Sequence, residues 1–237
     1  MAMDARDASG FYATPLGRHA AAALRRKLSR LWPRMAGLSV LGIGHAGPCL
    51  HLWREDARCV AVSPAYMGVA SWPAGQPGLS CLAEEEALPF PDLSFDRVLL
   101  VHGLEQAENA RRALREAWRV LKDDGRLIVM APNRRGLWAY AESTPFGHGQ
   151  PYSEGQLARL LGGLLFQVEA QSSALFAPPF INAPMLKLAG LFEACGPLLA
   201  PQFAGVTIAE VGKLLHGAVP AGSGAGVRRV LVEDGQI

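Results

Sequence analysis

At 237 residues, half of them hydrophobic, the chain can bury one large core and is too apolar to be disordered. Its formal net charge of +2 gives no whole-chain field toward nucleic acid or lipid. The four cysteines (Cys49, Cys59, Cys81, Cys195) form no CxxC pair and no Cys/His ligand spacing, which argues against structural zinc and for a reduced, cytoplasmic setting.

No long apolar run opens the chain, so no signal peptide is expected, and the apolar stretches break well short of a membrane span. Residues 1–14 read as flexible, with an aromatic pair at Phe11-Tyr12. Pro15 then opens a helix to about Trp32, since Leu16, Ala20, Leu24, Leu28 and Leu31 recur at helical spacing. Arg18, Arg25, Arg26, Lys27 and Arg30 cover its other faces, and no acid occurs between Ala8 and Gly37. Such a helix either packs on a sheet with a solvated basic face or meets a membrane surface or an acidic substrate.

Leu38 to Ile43 reads as a buried strand delivering its end to a glycine turn. Gly42-x-Gly44-x-x-Gly47 has the spacing of a dinucleotide fingerprint, in which bare glycine backbone approaches a ligand closely. Pro48 follows at once and puts the expected helix in question. A second strand runs from Arg58 to Val62 and ends at Ser63-Pro64. Residues 71–78 read as a loop, and a short strand lies near Leu79 to Leu82. Phe95 to Val101 is apolar enough to be a central strand. Glu108 to Lys122 is a helix with Ala110, Ala113, Leu114, Ala117 and Leu121 on one stripe. Asp123-Asp124-Gly125 turns into a strand from Arg126 to Met130. Residues 134–152 form a long connection rich in Gly, Pro and aromatics. Ser153-x-x-Gln156 is a capping box opening a helix to about Leu161. A strand from Phe166 to Phe176, a helix from Met185 to Cys195 and a strand from Val206 to Leu215 complete the elements. Ala218 to Gly226 reads as a linker, and Arg228 to Val232 as an edge strand or a free end.

Strands alternating with helices imply a Rossmann-like, doubly wound α/β sheet, mostly parallel and seven-stranded, with helices on both faces. Ligands of such sheets bind beyond the carboxyl ends of the strands. The tips to inspect are therefore 42–47, 62–64, 83–86, 101–105 and 131–135.

Four segments carry a more specific signal. They are Ala87-Leu88-Pro89-Phe90-Pro91-Asp92-Leu93-Ser94-Phe95-Asp96, His102-Gly103-Leu104-Glu105, Ala113 to Lys122, and Gly125-Arg126-Leu127. Their order and spacing resemble those of class I S-adenosylmethionine-dependent methyltransferases of the type 11 group. The resemblance covers roughly residues 38–131. It implies S-adenosylmethionine as cofactor and a small-molecule acceptor, and divides the chain into an N-terminal basic helix (1–36), a methyltransferase-like domain (37–217) and a flexible tail (218–237). No metal, membrane or nucleic acid is expected as a partner, while a protein partner or a second copy stays open.

The resemblance assigns cofactor contacts to Gly42, Gly44, His45, Gly47, Ser63, Glu84, Glu85 and His102, with His102 and His148 as catalytic candidates and Tyr12 and Tyr152 beside them. Glu84 aligns with the acid that meets adenine, and the Glu85 amide with the group beside the ring. Two departures stand out. The acid leading the glycine motif is Gly42 here, and the later glycines are Ala46 and Pro48. The acid that ends the second strand and holds the ribose hydroxyls has Val62 and Ser63 as its nearest equivalents. These departures leave a second reading open, a catalytically inactive binding or regulatory protein. A nicotinamide-dependent oxidoreductase ranks last, because no acid closes the second strand and no Tyr-x-x-x-Lys pair occurs.

Overall fold

The computed structural model describes residues 5–68, 71–73, 78–181 and 183–215. The expected linker and edge strand between 218 and 232 lie outside these. The strands are β1 (Ser39–Gly44), β2 (Arg58–Pro64), β3 (Ser80–Ala83), β4 (Phe95–Val101), β5 (Leu121–Pro132), β6 (Phe166–Ala174) and β7 (Val206–Lys213). They form one sheet in the order β3-β2-β1-β4-β5-β7-β6. β1 to β5 are parallel, and β7 runs antiparallel between β5 and β6. The expected mostly parallel, seven-stranded, doubly wound sheet is thus what the chain forms. The winding reverses between β1 and β4, which sets a crevice at their carboxyl ends.

Two cores follow from the period-2 alternation along the central strands. Val40, Leu99, Val101, Ile128 and Met130 face one core with α1 (Ala5–Ala13) and α2 (Pro15–Leu31). Leu41, Ile43, Val98, Leu100, Leu127 and Val129 face the other, under α4 (Ala110–Val120) and α5 (Glu154–Gly162). Helix α4 buries Ala113, Leu114 and Ala117 of the expected stripe and Val120 besides, while Ala110 is half-buried and Leu121 already opens β5, so the helix ends two residues before the expected Lys122. Helix α5 starts on the expected capping box. Ser153 accepts from the Gln156 amide at 3.3 Å, and Gln156 accepts from the Ser153 amide at 3.1 Å.

Residues 5–13, expected to be flexible, are the helix α1. Ala8, Phe11 and Tyr12 are buried, and Phe11 meets Trp138 and Phe146 edge-on at 6.3 and 6.2 Å. Burying such a ring contributes about 1.5–3 kcal/mol, tertiary stabilisation that an isolated nine-residue helix lacks. Thr14 then caps α2 by accepting from the Gly17 amide at 3.0 Å. The helix expected at Met185–Cys195 is two helices, α6 (Ala183–Leu186) and α7 (Ala189–Leu199). Pro48 leaves only one turn after the glycines, α3 (Gly47–Leu50).

A polar clamp joins the start of β1 to β4. Asp96 accepts from the Ser39 amide (2.8 Å), the Ser39 hydroxyl (2.6 Å) and Lys122 (2.7 Å). Burial disfavours its charge, but these hydrogen bonds outweigh burial and hold the carboxyl down at about 2. A lowered folded pKa adds stability above the ordinary carboxylate value, and that stability is lost as pH falls through about 2. Asp96→Asn is therefore expected to cost about 1 kcal/mol at neutral pH. Thermal melts should show the difference closing as the pH falls from about 4 to 2. A gap that persists at low pH would show that the lost charge is not what destabilises the variant.

Candidate active site

The tips of β1 and β2 open on a cavity of about 390 Å³, a size suited to a small-molecule ligand; His102, at the tip of β4, is buried behind Tyr12 and is not among its lining residues. Its wall includes Tyr12 of α1, Arg18 and Arg25 of α2, Gly44, His45 and Gly47 of the glycine turn, Ser63 of β2, and Trp72.

The turn is shaped by steric limits. Gly44 has φ +85°, and a side chain there would collide with the Val101 carbonyl oxygen. The His45 amide donates to that same oxygen at 2.8 Å, so β1 and β4 close tightly on each other. At Gly47 an added Cβ would lie 2.9 Å from the Trp72 ring. Gly42 is different. An added Cβ would lie 2.7 Å from both Ala46 Cβ and Leu50 Cδ1, so apolar side chains fill the space an acid would need.

His45 is buried, and its ring stacks on Tyr12 at 5.5 Å and 13°. Burial, helped by nearby His102, pushes its pKa down to about 4, so the ring is neutral at pH 7. Tyr12 and His102 are joined at 2.8 Å between the phenol oxygen and Nε2, and His102 Nδ1 lies 3.1 Å from Glu105 Oε1. All three side chains are buried. Burial, then Cys49 and Glu105, raises the Tyr12 pKa well above its usual value. The phenol is therefore protonated and donates to Nε2, which leaves Nδ1–H to donate to Glu105. His102 itself sits at φ +54°, a conformation this network holds in place.

The cofactor candidates separate along this wall. Gly44, His45, Gly47 and Ser63 line the cavity. Val62 is buried in the opposite core, whereas Ala61, two residues from Ser63 on the same strand face, lines the cavity with it. Glu84 is exposed at the end of β3. Glu85 is buried and accepts from the Glu108 amide at 3.2 Å. Its pKa is raised by burial, against opposing hydrogen bonds from Tyr66 and that amide. Its second oxygen has no partner among the described residues. His148 is not brought to the cavity; its Nε2 meets the Glu142 carbonyl at 2.9 Å within its own loop. Tyr152 lies in the core under α5. Asn133, at the tip of β5, donates to the Gln202 and Ala204 carbonyls and so ties that tip to β7.

Sequence reasoning did not find Arg18 or Arg25 as site residues. The basic run of α2 was visible, but which of its arginines turn toward the glycine loop was not. Arg25 donates to the Pro48 carbonyl at 3.0 Å, which fixes α2 against that loop.

Residues 40–129 match the methyltransferase domain family of type 11. The match covers less than half of the chain, and over those residues the chain is similar to class I, type 11 methyltransferase domains. The chain is 27% identical over 154 residues to a demethylmenaquinone methyltransferase of Thermus thermophilus, covering 64% of this chain and 63% of that one. It spans smaller shares of other curated relatives, such as 36% of the ajmaline N-methyltransferase of Rauvolfia serpentina. Among solved structures, a methyltransferase of Thermotoga maritima described as a possible histamine N-methyltransferase superposes with a TM-score of 0.60 at 19% identity, covering 88% of this chain and 95% of that one. The 1,6-didemethyltoxoflavin-N1-methyltransferase of Burkholderia thailandensis, solved with S-adenosylhomocysteine, gives 0.56 at 15% identity, covering 86% and 80%. At these identities the superpositions establish the fold.

S-adenosylmethionine is the cofactor this methyltransferase domain implies, and the turn is built for a close-lying ligand. Bare Gly44 backbone faces the cavity, and Ser63 and two arginines offer donors. No acid lies among the described residues lining the cavity.

Proposed function

We propose that the chain transfers a methyl group from S-adenosylmethionine to a small-molecule acceptor. The observation supporting this is the bare Gly44 turn opening on the cavity within the methyltransferase-matched stretch. In this reading the cofactor, when bound, supplies an activated methyl on a sulfonium. Gly44 and Gly47 hold it by close backbone approach. Arg18 or Arg25 pairs with its carboxylate, and Ser63 with the ribose. The protein's remaining work is alignment and exclusion of water, which can supply on the order of 7–11 kcal/mol of a barrier in favourable cases.

Tyr12, His102 and Glu105 are the groups able to move a proton. His102 Nε2 is held as an acceptor by Glu105 at Nδ1 and is shielded by Tyr12. A protonated acceptor would hand its proton to the Tyr12 hydroxyl, which passes its own proton to Nε2. Acceptors that arrive deprotonated need no base.

Calorimetric titration with S-adenosylhomocysteine tests the reading. Micromolar binding is expected. No binding at millimolar ligand would overturn it in favour of a non-catalytic binding role. The ribose assignment has its own test, because Ser63 is buried on the cavity wall. Ser63→Asp should tighten S-adenosylhomocysteine binding about tenfold, as a charged acceptor adds roughly 1.5–3 kcal/mol to a hydrogen bond. Unchanged or weaker binding would remove Ser63 from the ribose site.

A further inference from the structure

Helix α2 lends three residues to the cavity wall, Arg18, Ala21 and Arg25. Spacings of three and four put them on one helical face. Seven residues of helix separate the two arginines by about 10 Å along the axis, and their guanidinium groups are anchored on different elements. Arg25 donates to the Pro48 carbonyl at 3.0 Å, beside the glycine turn. Arg18 donates to the Ala13 carbonyl, at the residue that follows Tyr12. A guanidinium carries several N–H donors, so each keeps others for a ligand. Among the described residues no carboxylate pairs with either arginine.

The wall around them is short of negative charge. Glu105 lies behind Tyr12, bonded to His102, and does not line the cavity. His51 does line it, and its pKa is pushed down by burial and then by Arg54 and Arg25, as a basic group responds to a positive field. S-adenosylmethionine would bring a sulfonium and an ammonium against one carboxylate, so it adds positive charge instead of cancelling it. Its single carboxylate needs one guanidinium. Arg25 stands at the glycine turn and is placed for that group. Arg18 stands at Tyr12, which would take the acceptor's proton, and is left for the acceptor. A neutral or cationic acceptor would leave this charge unanswered, and like charges brought together oppose binding.

We infer that the methyl acceptor is a small anion whose carboxylate pairs with Arg18 while its nucleophilic atom meets Tyr12. This rests on the methyltransferase reading above and adds the acceptor's charge class and the residue that selects it. The planar fork of Arg18 matches a carboxylate through two parallel hydrogen bonds, and Ser9 of α1 offers a hydroxyl on the same wall. A phosphate shares this chemistry and is a separate arm of the test. Of the roles the basic run of α2 allows, recognition of an acidic substrate is thus the one its cavity-lining face supports.

Calorimetric titration of the full chain, saturated with S-adenosylhomocysteine, tests the inference with benzoate, phenyl phosphate and benzamide as probes. Benzoate should bind at least about tenfold more tightly than its neutral amide, the weight of a charge-assisted hydrogen bond. Arg18→Gln should erase that preference, because it keeps a donor and removes the charge. Arg18 is exposed, so the core is undisturbed by the change. Arg25→Gln should instead weaken S-adenosylhomocysteine itself, by about tenfold. Equal binding of benzoate and benzamide, or binding of neither, overturns the inference and leaves the cofactor reading standing. An Arg18→Gln protein that keeps the preference overturns it, and so does one that loses S-adenosylhomocysteine, since Arg18 then serves the cofactor. Tighter binding of phenyl phosphate than of benzoate overturns the carboxylate in favour of a phosphate. If the unaltered chain fails to bind S-adenosylhomocysteine, the methyltransferase reading falls first and takes the acceptor class with it.

Discussion

Gly44→Ala is expected to abolish cofactor binding and to destabilise the fold. Position 44 needs φ +85°, which costs a residue with a Cβ about 1–2 kcal/mol before any contact is counted. The added carbon would also collide with the Val101 carbonyl oxygen, which already accepts from the His45 amide. Relief requires β1 and β4 to separate at their tips, where the cavity begins. The loss of stability should reach about 3 kcal/mol, in the range of steric overpacking combined with backbone strain. S-adenosylhomocysteine affinity should fall at least about 100-fold, because the close backbone approach disappears with the strand geometry. Gly162→Ala is the control, since an added Cβ there meets nothing within 4 Å. Thermal unfolding and calorimetric titration of the two variants check both points. A Gly44→Ala protein that melts and binds like the Gly162→Ala protein would show that the turn is not held as described.

The second large effect is expected at the buried hydrogen-bonded line. His102→Ala should lower kcat by about 10²–10⁴ for an acceptor that arrives protonated, the usual contribution of a positioned base. S-adenosylhomocysteine binding should change far less, since the proton-accepting role belongs to the acceptor side. Removing the ring also leaves the Tyr12 hydroxyl and Glu105 buried without their partner, at a cost of about 1–3 kcal/mol each. Tyr12→Phe separates the two effects. It keeps the stacked ring on His45 and frees Nε2. If the phenol relays the proton, kcat falls with KM nearly constant. If it only shields Nε2, kcat holds while stability drops. A His102→Ala enzyme with unchanged kcat and lowered melting temperature would reduce the whole line to a structural anchor for α1.

Much of the fold was legible because it rests on local patterns. β4 runs over the residues its unbroken apolar run marks, Phe95 to Val101. The Ser153/Gln156 box caps the helix it predicts, because both partners lie within one turn of each other. The motifs from Ala87 to Leu127 were readable in order for the same reason, since each is a continuous segment at the end of a predictable element. Helix α1 was not legible. Its stability comes from Phe11 and Tyr12 packing on residues some 90 to 135 positions away, and no nine-residue window carries that information.

The site shows the same division. The sequence by itself determined that a glycine turn ends the first strand and that His102 and Glu105 follow the central strand. Only the tertiary structure decided what surrounds that turn. Leu50 and Ala46 fill the space beside Gly42, and Ala61 rather than Val62 shares a strand face with Ser63, because a one-residue step reverses the side of a strand. It also decided that Tyr12 closes the line to His102, and that the leucines of α7 face outward. A helical period shows which residues share a face, but whether that face is covered depends on what the rest of the chain packs against it.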